Sequence, residues 1–116
     1  MWTQRWLGRN RGGESLFVNI IRFPQIKEGK DVEFKEWFEW SNSVYSSFKG
    51  FISRSLLKPT EKGNYVGLVE HESEETFMAM HLSDERQKAW AKVEPLLTGS
   101  PTPSFYTVLI SSKTRT

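Results

Sequence analysis

The sequence predicts an α+β domain, a four-stranded antiparallel sheet with helices on one face. Three observations predict it. Residues 15–23, 51–58, 64–70 and 104–110 are rich in β-branched and aromatic side chains and read as strands. Between residues 30 and 49, apolar and aromatic residues recur at steps of three and four, the period of an amphipathic helix. Two starts of one kind, Ser73-Glu74-Glu75 and Ser83-Asp84-Glu85, put a capping hydroxyl and two acids where a helix begins.

The first strand (SLFVNIIRF) places Leu16, Val18 and Ile20 on one face and Phe17, Asn19, Ile21 and Phe23 on the other, and it stops at Pro24. The long helix buries a stripe of Phe34, Phe38, Ser41, Tyr45 and Phe48, widened by Trp37 and Val44, and Gly50 reads as its C-terminal cap. The second and third strands form a hairpin across Pro59-Thr60-Glu61-Lys62-Gly63. A helix from Ser73 runs to about residue 82, and a second runs from Ser83 to a stop at Pro95. A loop, Gly99-Ser100-Pro101-Thr102-Pro103, then leads into the fourth strand. The order is β-α-β-β-α-α-β, that of a ferredoxin-like fold. The first and fourth strands are apolar on both faces, and helices on one side cover only one of them. A second copy meeting the sheet face-on in a homodimer is the economical cover.

The 116 residues amount to one domain. Residues 1–14 read as a flexible arm, 15–110 as the domain and 111–116 as a polar tail. The absence of cysteine rules out a disulfide scaffold, a cysteine zinc site and a thiol nucleophile, and it fits a reducing compartment. No apolar run approaches the roughly 20 residues that span a bilayer, and no apolar stretch follows the N-terminal arginines as in a secretory signal. A cytoplasmic protein without membrane contact is therefore expected. The net charge of +2 comes from the tails, because residues 15–112 carry 11 basic and 13 acidic side chains. A nucleic-acid binder needs its positive charge on the folded body, so none is expected as a partner. Eight Phe, five Trp and three Tyr point to an aromatic core or to a surface that meets a flat ligand.

The element order, the Gly50-Phe51 pair opening the second strand and the stretch 73–90 (SEETFMAMHLSDERQKAW) resemble the antibiotic biosynthesis monooxygenase domains of the dimeric α+β barrel superfamily. The resemblance rests on Glu74-Glu75, Phe77, His81-Leu82, Ser83 and Trp90, and it covers about residues 15–110. It implies a homodimer that oxidises a small aromatic or polycyclic molecule with O₂ and no cofactor. A second branch of the family binds haem and opens its ring, using an Asn on the first strand, a Trp on the helix after the third and a later His. Here the register puts the Asn position nearer Arg22 than Asn19, His81 stands at the Trp position, and Ala91 stands near the His position. A third reading is a non-catalytic binding or dimerisation module with no cavity as large as about 300 Å³.

The residues that would carry chemistry each have a plainer reading. His81 is a candidate proton acceptor, or it hydrogen-bonds backbone at the helix break. Asn19 is an amide in an apolar strand that needs a partner, either a ligand or another buried group. Arg54 would bind an enolate oxygen, or else sit at a sheet edge and oppose aggregation. Phe77, Trp90 and Trp40 are candidate pocket residues, with Trp40 at the mouth, although aromatic stripes are more often core. His71 reads as a solvated strand end. The two histidines are ten residues apart and do not form the paired spacing of a helical zinc site, so no metal is expected.

Overall fold

Four strands and three helices form in the predicted order: β1 (Phe17–Arg22), α1 (Asp31–Tyr45), β2 (Phe51–Leu57), β3 (Val66–His71), α2 (Glu74–His81), α3 (Asp84–Val93) and β4 (Thr102–Thr107). A 3-10 turn, Glu94–Leu96, follows α3 and contains Pro95. The computed structural model describes residues 16–112, so the proposed arm lies outside the described residues, as do the last four residues of the tail. All pairings are antiparallel and the strand order is β2-β3-β1-β4. This is the ferredoxin-like arrangement.

The alternation of β1 decides which side chains meet the helices. Phe17, Asn19 and Phe23 are buried. Aromatic rings fill much of the layer above them. Phe23, Phe34, Trp37 and Phe38 pack with Val93, Leu96 and Leu97, while Phe17, Tyr45, Val69, Phe77, Met80 and Ala89 form a second cluster. The Trp37 indole donates to the Ala89 carbonyl at 2.8 Å and so ties α1 to α3. Both serine caps form: Ser73 Oγ accepts from Thr76 N–H and Ser83 Oγ from Arg86 N–H. Each such cap stabilises its helix by about 1 kcal/mol.

Three boundaries differ from expectation. Helix α1 ends at Tyr45 with its cap at Ser46, so Gly50 does not cap it. Gly50 sits in the turn that opens β2 at φ +86, where a Cβ would lie 2.3 Å from Thr76 Oγ1. Glycine is required there for close approach as well as for its dihedral. Strand β4 begins at Thr102 and includes Pro103. As an edge strand it tolerates a residue with no N–H to donate, and it ends before Val108, Leu109 and Ile110. Its outward side is therefore Thr102, Ser104 and Tyr106, more polar than predicted. The outward sheet face carries Val18 and Ile20 on β1 and Val66 and Leu68 on β3, bordered by the bonds Ser53–Glu70 and Arg22–Ser104. Among the described residues, no helix is long and apolar enough to cross a membrane.

Candidate functional site

A single row across the sheet sets the base of the site. Asn19 on β1 is registered opposite Val69 on β3, and Val69 opposite Arg54 on β2. Paired residues project to the same face with Cβ atoms about 5 Å apart, so an amide, an isopropyl group and a guanidinium point together toward the helices. Tyr45 of α1, Phe77 and His81 of α2 and Trp90 of α3 close over this row. A cavity of about 530 Å³ is left between them, with residues 98–101 at its rim.

Arg54 is the unusual member. Its Nη1 donates to Ser41 Oγ at 2.7 Å, Asn42 Oδ1 at 2.8 Å and the Phe38 carbonyl at 3.3 Å. Its guanidinium lies 4.0 Å from the Phe38 ring centroid and 4.5 Å from that of Tyr45. These partners are all neutral. The ion pairs among the described residues, Lys30–Glu33 and Lys35–Asp31, do not involve it. Burial pulls its pKa down to about 10, opposed by the nearby Tyr45 phenol, so it keeps its charge at neutral pH. A cation in this setting without a counter-ion is costly unless something supplies the negative charge. Asn19 Oδ1 is likewise buried and has no hydrogen-bond partner among the described residues.

His81 completes the set. Its ring stacks on Phe77 with centroids 5.4 Å apart and an interplanar angle of 20°. Burial lowers its pKa below the ordinary value of 6.5, and the charge of Arg86 lowers it further, so the ring is neutral at pH 7 and able to accept a proton. The helix break beside it is capped by Ser83, whose Oγ donates to the Met80 carbonyl at 2.6 Å, so that task does not fall to His81. The inward aim of Arg54 similarly excludes its reading as an edge charge. Asn19, Arg54, His81, Phe77 and Trp90 thus line one cavity.

Trp40 does not join them. It is 43% exposed, with Lys92 Nζ 5.2 Å from its ring centroid, on the outside of α1. It lies about 100° of helix rotation from Ser41, which is enough to swing it off the buried stripe. His71 also departs from expectation. It is fully buried, with Nδ1 3.0 Å from Thr76 Oγ1 and Nε2 without a partner among the described residues. Burial pushes its pKa down to about 4. It shares the parity of Val69, so the start of α2 covers it. The sequence reading passed over Tyr45, Met80 and Arg86 as cavity residues. Arg86 was findable, because it lies four residues before Trp90 and therefore on the same helical face.

Comparison with solved structures places this geometry. Rv0793 from Mycobacterium tuberculosis aligns with a TM-score of 0.74 at 17% identity, over 85% of this chain and all of that one. A candidate antibiotic biosynthesis monooxygenase from Nitrosomonas europaea aligns at 0.70 and 14% identity, covering 79% and 88%. SnoaB, a cofactor-independent oxygenase from Streptomyces nogalater, aligns at 0.66 and 18% identity, covering 84% and 94%. The fold is that of the antibiotic biosynthesis monooxygenase domain. No family model and no curated protein matches the sequence.

The haem-binding pattern of this fold does not fit the residues present. Arg22, nearer than Asn19 to the expected Asn position, faces the outer side of the sheet and bonds Ser104. Ala91, near the expected iron-ligand position, is exposed on α3. No group of three or more His, Cys, Asp or Glu residues is placed to hold a metal ion among the described residues.

Proposed function

We propose that the protein is a cofactor-independent monooxygenase whose substrate is a small aromatic or polycyclic molecule with an ionisable C–H or O–H group, such as an anthrone or a quinol. One observation carries this reading: a cation without a counter-ion among the described residues, a buried amide whose oxygen has no partner among them and an imidazole of lowered pKa line the same cavity. The cavity also argues against a filled, non-catalytic module.

The chemistry requires the protein to make a carbanion and to hold it. Phe77 and Trp90 offer aromatic surfaces to a flat substrate, and Asn19 Oδ1 accepts a hydrogen bond from one of its hydroxyl groups. His81 takes a proton from the activated carbon. The charge moves to the conjugated oxygen, where the Arg54 guanidinium stabilises it. The enolate passes one electron to O₂ and the resulting radicals combine, forming a C–O bond and a peroxide. The peroxide anion takes back the proton held on His81. His81 then removes the second proton from that carbon as the O–O bond breaks and hydroxide departs, and hydroxide takes that proton from His81 to become water. The methylene becomes a carbonyl, one oxygen atom enters the product and the other leaves as water.

In this reading a homodimer through the outward sheet faces covers Val18, Ile20, Val66 and Leu68. Sedimentation at high concentration is expected to give twice the protomer mass. The activity is tested in an oxygen electrode with a panel of anthrones and quinols, free of flavin and metal. Uptake that matches quinone formation supports the proposal, and no uptake across the panel overturns it. Because the His81 pKa is lowered, activity should fall on acidification only below pH 6.5.

A further inference from the structure

The mechanism uses one guanidinium, but the cavity holds two. We infer that Arg86 is a second anion-binding residue, and that the substrate carries a fixed anionic group, a carboxylate, apart from the oxygen that ionises during the reaction. This rests on the cavity being the substrate site.

Arg86 enters the cavity from the first turn of α3. Its backbone N–H is held by Ser83 Oγ at 3.1 Å, and its guanidinium lies 5.0 Å from the Trp90 ring centroid. Stacking on an aromatic face orients the guanidinium fork, which suits two-point recognition of a carboxylate. It forms no ion pair with any described residue. Glu94 shares the cavity wall but is not within ion-pair distance. Both cations line the same cavity. Burial raises the Tyr45 phenol above its ordinary pKa while Arg54 and Arg86 both oppose that shift, so both charges act on the same hydroxyl. A ligand with two negative positions, one fixed and one formed in the reaction, would give each guanidinium its own partner.

A redox-inert probe separates binding from oxygenation. Anthraquinone-2-carboxylate and its methyl ester are titrated against the full chain by tryptophan fluorescence. The carboxylate is expected to bind about tenfold more tightly than the ester, the usual scale of one charge-assisted contact. Arg86→Gln should abolish that preference and leave the ester's affinity unchanged, while Arg86→Lys, which keeps the charge but not the fork, should retain part of it. Equal binding of the two probes by the wild type, no binding of either, or equal weakening of both by Arg86→Gln overturns the inference. The last result would mean that Arg86 acts through packing or through His81 and not on the ligand. A carboxylate preference without oxygen uptake from the reduced analogues would sink the oxygenase reading and leave Arg86 as an anion site. Uptake at equal KM for acid and ester would do the reverse.

Discussion

The space between sheet and helices is filled around Phe34 and hollow around Arg54. Phe34 is fully buried, with Phe23 edge-on at 5.1 Å, Tyr65 stacked at 5.7 Å and Trp37 at 5.9 Å. Rings satisfy one another by contact, so that end needs nothing further. At the other end Arg54 and Asn19 are themselves polar, Arg54 has no counter-ion and the Asn19 oxygen no partner among the described residues, and a cavity of about 530 Å³ adjoins them. If the proposed function holds, the filled end serves stability and the hollow end a ligand, and substitutions at the two ends should therefore fail in different ways.

The largest effect is expected at the filled end. Phe34→Ala removes a ring from a closed cluster and should lower unfolding free energy by about 3–5 kcal/mol, read as the urea midpoint at constant slope, with little change in ligand affinity of the folded fraction. Arg54→Met should do the opposite. Turnover falls by on the order of 10²–10³-fold, as when one oxyanion donor is lost, while the urea midpoint holds or rises because an unpaired charge has left the interior. If Arg54→Met unfolds the protein and spares turnover, the division into two regions fails.

His71 sharpens the comparison from behind the cavity wall, buried against Phe51 and Phe77. Its folded pKa of about 4 lies below the ordinary 6.5. Between these values the unfolded chain binds a proton that the folded chain refuses, so stability is lost as pH falls from 6.5 toward 4, by up to about 3 kcal/mol. His71→Gln should flatten that loss in urea titrations at pH 7 and pH 4.5. The smallest effect belongs to Trp40. Its exposed ring meets neither region, and Trp40→Ala should change stability by under about 0.5 kcal/mol and leave steady-state kinetics as they are.

Local signals in the sequence carried most of the fold. The step of three and four in α1 and the serine starts at Ser73 and Ser83 are set by backbone geometry within one or two turns, and they appear where they were read. The failures needed knowledge of neighbours. Pro103 looks like a breaker until β4 is known to be an edge strand. Gly50 looks like a helix cap until Thr76 is found against it. Strand parity put Asn19 on the opposite face from Arg22 but could not bring it into one row with Arg54, because register between strands is not written in either strand alone. His71 read as solvated because sequence gives no account of what covers a strand end. Arg86 was overlooked although its spacing to Trp90 was legible.

The central claim is that Arg54 holds negative charge on the substrate inside the cavity. Anaerobic binding of an anthrone at neutral pH tests it directly, because the enolate absorbs at longer wavelength than the ketone. Wild-type protein should show the enolate band on binding, and Arg54→Met should bind the ketone without it. A bound ligand that stays a ketone in the wild type, or an enolate band of equal strength in the variant, would contradict the account.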